Sequence, residues 1–159
     1  MVGVAITVRI RLRVCFDPAA AMASNPGKAT MANRLAVFLM ALSQVVLIGI
    51  VLARYPAHLS DPLWPAHAKA HLVSQIAALT GLACVSLLLL FMPFRAGSKW
   101  AWYGLLLSGL FAYGGYWIAA GVAEPAVPWR SAYSTFAALS AAYFLGLALG
   151  WRHCFRPRT

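Results

Sequence analysis

The sequence predicts an all-α membrane protein, a bundle of four transmembrane helices, and three observations carry that prediction. Four apolar stretches, 35–53, 72–92, 101–123 and 132–151, contain no Lys, Arg, Asp or Glu. A bilayer core about 30 Å thick needs about 20 helical residues to cross it, and a helix satisfies its own backbone polar groups in lipid. The chain is 62% hydrophobic and 10% charged, against roughly 25% charged residues in a soluble domain. The loops between the stretches are too short to hold a second domain. The 13 Lys and Arg lie almost entirely outside the spans. The net charge of +10 therefore reads as membrane topology and attraction to anionic headgroups, not as a nucleic-acid surface.

Residues 1–30 stand apart from the membrane domain. Val2 and its apolar neighbours precede their arginines, which is the reverse of a signal peptide. Ile10, Leu12, Val14 and Phe16 alternate with Arg9, Arg11, Arg13 and Cys15, a strand-like period of two. A lone strand has no partner here and is not stable by itself. The segment is expected to be a disordered extension or an over-long start, with Met22 or Met31 as the working first residue. The membrane domain is assigned to 31–153, and 154–159 form a basic tail.

Cations set the expected orientation. Arg9, Arg11, Arg13, Lys28, Arg34, Arg95, Lys99, Arg152, Arg156 and Arg158 fall on one side, and Arg54, Lys69 and Arg130 on the other. The positive-inside rule then places both termini in the cytoplasm and the first and third loops outside. The expected location is a bacterial cytoplasmic (inner) membrane. Cys15, Cys84 and Cys154 suggest no disulfide framework.

In the first span, Gln44 lies near the middle, where an amide is costly without a partner. In the fourth, Ser134, Ala138, Ala142, Gly146 and Gly150 recur every four residues. The third span has a similar series in Gly104, Ser108, Ala112, Gly115 and Ala119. Small residues let membrane helices approach closely, so small-residue packing between helices 3 and 4 is expected. Self-dimerisation through Gly146 and Gly150 stays open. Tryptophans 64, 100, 102, 117, 129 and 151 fall near span ends, as amphipathic rings do at headgroup depth.

The segment leading into the second span concentrates the remaining polar chemistry. Pro65 suits the first turn of a helix because it has no amide to lose. From that start His67, His71 and Gln75 stand at i, i+4 and i+8, one stripe with about 6 Å between neighbours along the axis. Asp61 and Glu124, the only acids outside the N-terminal segment, fall on the same outer side, and Trp64 is the interfacial anchor. The candidate polar site is thus His58, Asp61, His67, His71, Gln75, Gln44 and Glu124. An i, i+4 imidazole pair can grip a transition metal, with His67 and His71 as its ligands. A polar rim shaping a lipid-facing pocket and a purely interfacial cluster stay open beside it. No nucleophile–base arrangement is present, so no reaction type is assigned.

The run Asp61-Pro-Leu-Trp-Pro-Ala-His-Ala-Lys-Ala-His71 resembles a signature of small uncharacterised bacterial four-span membrane proteins. In these, an Asn- or Asp-Pro-x-Trp stretch precedes His-Ala-Arg/Lys-Phe-His at the start of the second helix. The likeness covers about a dozen residues and the four-span layout, and Ala70 departs from it where an aromatic is usual. It implies an architecture and a focal segment without an activity. A looser similarity is to DoxX-like four-helix proteins and to the emopamil-binding/sigma-2 module. The latter uses intramembrane acids, which the spans of this chain do not contain.

These readings lead to a membrane protein that binds a lipid-like or other small molecule at an outer-face site centred on His67 and His71. A non-catalytic accessory subunit of a larger membrane complex is the alternative. Membrane lipids are expected partners, and nucleic acid is not. A chain starting at Met31 should insert and fold like the full one, read by expression and thermal melting. Loss of the bundle in that truncation would show that the first 30 residues are a structural element.

Overall fold

In a computed structural model of the chain, residues 30–123 and 130–155 are described, and all regular structure among them is helical. Glu124, Trp129, the extension before Thr30 and the arginines of the tail lie outside the described residues. Four helices are long and apolar enough to cross a membrane. They are α1 (Met31–Ser60), α2 (Ala66–Leu89, prolonged by a π-helical turn at Leu90–Phe94), α3 (Lys99–Gly109, a π-helical turn at Leu110–Gly114, then Gly115–Ala123) and α4 (Arg130–Phe155). This is an all-α membrane protein.

Each helix runs beyond its apolar stretch, and local chemistry sets the ends. Thr30 caps α1, its hydroxyl accepting from the Asn33 amide at 3.3 Å. Near the other end, Pro56 removes one backbone donor but α1 continues to Ser60. Pro62 then holds Asp61 extended (φ −67°, ψ 116°), because a proline disfavours the helical region for the residue before it. Pro65 occupies the cap position of α2, and Ala66 is the first helical residue. Between α2 and α3 the chain turns at Gly97, whose φ of 77° a side chain would resist. The Gly97 amide donates to Phe94 O and the Ser98 amide to Pro93 O, a Schellman closure. Ser98 then caps α3.

The helices associate through glycines, with partners that differ from the expected pairing. The most extensive contact is between α4 and α1. A Cβ built on Gly146 would stand 2.8 Å from the Ala36 carbonyl oxygen and 2.8 Å from Met40 Cγ, so this glycine faces α1. Gly150 meets the Phe94 ring at the end of α2, and Gly104 meets Leu89 of α2. The glycines are therefore used within the molecule, but among those described it is Gly109, lying against the Tyr143 ring, that joins α3 to α4. The rest of that seam is aromatic. Trp102 donates its indole N–H to Leu147 O at 2.9 Å and packs edge-on to Trp151 and Phe155. At the other end Tyr116 stacks on Phe136 with centroids 3.6 Å apart. A repeat of small residues identifies a close approach without naming the helix that makes it.

Gly146→Ala should therefore destabilise the bundle by about 1–3 kcal/mol, the usual cost of overpacking, because a backbone oxygen is the obstacle. Gly49→Ala, with nothing within 4 Å of its built Cβ, should be neutral or slightly stabilising. Equal melting temperatures for the two variants would contradict the assigned α1–α4 approach.

Candidate functional site

Two polar groups of residues emerge, one at the rim and one at the centre of the bundle. At the rim, helix α2 projects His67 and His71 from adjacent turns. Their Nε2 atoms are 2.9 Å apart, and the rings meet edge to face with centroids 4.3 Å apart. Both side chains are exposed. In the neutral pair one Nε2–H donates to the lone pair of the other, which fixes opposite tautomers on the two rings. With that proton moved to Nδ1 of its own ring, both Nε2 atoms present lone pairs side by side.

The neighbouring loop supports the pair without joining it. His58 stacks on Trp64 at 4.9 Å, which holds the end of α1 against the entry to α2. Asp61 accepts from the Leu63 amide at 2.9 Å, an Asx turn that spends one carboxylate oxygen locally. Gln75 is exposed one turn beyond His71. Among the described residues, no group of three or more His, Cys, Asp or Glu is positioned to hold a metal. The structure therefore brings together His67 and His71 from the expected set. It leaves His58 and Asp61 in contacts of their own, and Glu124 lies outside the described residues.

Gln44 belongs elsewhere. It is 2% exposed and sits about 24 Å below Ser60 along α1 at 1.5 Å per residue. There all four helices contribute polar side chains. The Tyr113 hydroxyl contacts Ser43 Oγ, and Ser43 Oγ donates to Leu139 O at 2.8 Å. Because serine has one hydroxyl proton, tyrosine must be the donor in the first bond. The Tyr143 hydroxyl donates to Leu105 O at 2.8 Å, with Gln44 and Ser86 facing it. Ser86 itself donates to Leu82 O. Both tyrosines are 0% exposed, and their rings lie 5.2 Å apart. Tyr113 sits in the π-helical turn of α3, where the extra residue per turn alters the direction of the side chain. The Gln44 Nε2 amide has no hydrogen-bond partner among the described residues.

Sequence reasoning singled out Gln44 but missed Ser43, Ser86, Tyr113 and Tyr143. The available signal was one set of polar residues per span at matching depth, where hydrocarbon makes each costly unless paired. Chemically this cluster ties helices together, since its hydroxyl protons end on backbone carbonyls. The rim pair, by contrast, is exposed at the surface of the bundle.

No protein-family model, curated protein or solved structure matches the chain.

Ser43→Ala and Tyr113→Phe should be coupled in a double-mutant cycle by about 0.6 kcal/mol, and by no more than about 2 kcal/mol, the range for hydrogen bonds between membrane helices. Additive effects on thermal or denaturant stability would show that the Tyr113–Ser43 bond does not form.

Proposed function

We propose that this membrane protein binds a divalent transition-metal ion at its outer rim through His67 and His71. The supporting observation is the 2.9 Å separation of the two Nε2 atoms. Zinc–imidazole bonds are about 2.0–2.1 Å, so two nitrogens on one ion stand about 2.9 Å apart at a right angle and about 3.4 Å apart at a tetrahedral one. The pair is thus close to a chelating arrangement before any ion arrives. Imidazole suits Zn, Cu and Ni among biological metals. Ala68 stands directly after the first histidine, where a zincin carries its glutamate base, so the reading is of binding without an assigned reaction.

A second reading has its own support. His58 stacked on Trp64 and the exposed imidazoles lie together at the outer end, where a lipid-like small molecule with a hydrogen-bonding head would meet them. The accessory-subunit reading through the α4 small-residue stripe has less support, because Gly146 and Gly150 are already filled by Met40 and Phe94. The distribution of Lys and Arg supports an N-in, C-in orientation in a bacterial cytoplasmic membrane. The Asp61–His71 run supports kinship with the small four-span proteins that carry the same signature.

Zn²⁺ titrated into the purified chain should bind, and His67→Ala or His71→Ala should each weaken binding at least tenfold, as loss of a metal-site partner does. His58→Ala and His153→Ala should not. Binding unaffected by either rim variant would overturn the reading. For orientation, a single cysteine introduced at position 60 should react with impermeant reagent from outside, and one at position 97 only from inside. The opposite pattern would reverse the assignment.

A further inference from the structure

We propose that the end of the bundle opposite the rim holds an anionic phospholipid, its phosphate bound by Arg95, Lys99 and Arg152 where the α2–α3 turn meets the last turn of α4. The site is independent of the rim histidines, which stand at the other end of α2.

Local contacts bring the three cations onto adjoining segments. His153 donates its Nε2–H to Arg95 O at 3.1 Å, which ties the turn after α2 to the end of α4. Lys99 places its Nζ 5.7 Å from the centre of the Phe155 ring, and that ring stacks on Trp151 with centroids 3.8 Å apart. Arg95, Lys99 and Arg152 are all exposed, and so is Arg34 at the start of α1 on the same end.

The chain does not supply the counter-charge. Asp61 is the only carboxylate side chain among the described residues, and it precedes the far end of α2, a helix of about 43 Å. Glu124 follows Ala123, at the rim end of α3. Residues 1–29 and 156–159 hold six Lys or Arg against the single Asp17, so they add positive charge. The helix dipoles oppose one another here, because this end gathers the N-termini of α1 and α3 with the C-termini of α2 and α4. The neutralising anion therefore comes from another molecule.

The surroundings identify its class. Trp100 is 84% exposed, and Tyr103 and Trp151 are exposed beside it. Such rings concentrate at headgroup depth, which sets the neighbouring cations among the phosphates of a bilayer. Leu88, Phe91 and Met92 are exposed in the two turns of α2 before Arg95, an apolar surface along which acyl chains can lie. A soluble acidic partner would meet the charges but not this surface within the hydrocarbon. Each guanidinium offers a planar fork of donors to phosphate oxygens, and Lys99 adds a point charge. A zwitterionic headgroup brings its own ammonium beside the phosphate, so the cluster selects lipids of net negative charge.

The test reconstitutes the full chain in vesicles of phosphatidylglycerol and phosphatidylcholine in equal amounts, extracts it in mild detergent, and reads retained lipid by native mass spectrometry. The expected result is retained phosphatidylglycerol without phosphatidylcholine. Arg95→Gln/Lys99→Gln should lower that retention at least tenfold, at the affinity each juxtamembrane cation contributes. Arg54→Gln/Lys69→Gln, the same charge change at the rim end, should leave it unaltered. Arg95→Lys/Lys99→Arg keeps both charges and should retain the lipid, which separates charge from folding. Inorganic phosphate in excess should not displace the lipid, because it has no acyl chains. Equal retention of the two lipids, equal losses in the two Gln variants, or loss in the charge-conserving variant would overturn the inference. Displacement by phosphate would reduce the cluster to an unspecific anion site and overturn it too. None of these outcomes bears on Zn²⁺ binding at His67 and His71.

Discussion

Helix α4 can lie against α1 only because residue 146 has no side chain. Lipid tails are as apolar as leucine, so no hydrophobic force drives membrane helices together, and close packing must do so. At Gly146 the α4 backbone comes within contact distance of the Ala36 carbonyl and Met40. That approach sets the most extensive helix pair of the bundle. It also fixes the depth at which Tyr143 of α4 meets Gln44 of α1 and Leu105 of α3. The central hydroxyl network depends on this register, since Ser43 reaches Leu139 O across the same interface. Gly109 then admits the Tyr143 ring, which brings α3 into the arrangement. The bundle is ordered by where a backbone can be approached, and its polar groups follow.

The two polar groups play different physical roles. In the centre, Tyr113, Ser43 and Tyr143 end their hydrogen-bond chains on backbone carbonyls of neighbouring helices. Such bonds add register to packing that is otherwise directionless. At the rim, His67 and His71 satisfy each other and nothing holds their nitrogens against exchange for a ligand. Sidedness follows from the helix ends: Pro62 terminates α1, Pro65 starts α2, and the first free turns of α2 stand beyond the apolar stretch. The site is therefore a product of the same chain punctuation that ends the spans.

How much of this was legible depended on whether a property is local. Four spans follow from runs without charge, and the histidine pair follows from i, i+4 spacing. The helix ends were less legible: α1 starts four residues earlier than its apolar stretch and ends seven later, because Thr30 caps it and a proline near its end is tolerated. The small-residue repeats signalled close approach, but spacing on one helix carries no information about which partner is met. Gly146 accordingly turned out to face α1, and aromatic rings fill most of the α3–α4 seam. Gln44 was recognised as costly, yet it was expected to reach the rim, and its depth assigns it to the centre. Tyr143 and Ser86 escaped notice because no one-dimensional pattern links residues that share only a depth.

The account depends most on two imidazoles acting as one chelate, and zinc K-edge X-ray absorption of the Zn²⁺-loaded chain reads that directly. It predicts nitrogen scatterers at about 2.0–2.1 Å with the outer-shell scattering of imidazole rings, lost in the His67→Ala/His71→Ala double variant. A shell of oxygen ligands alone, or a spectrum unchanged in the double variant, would contradict it.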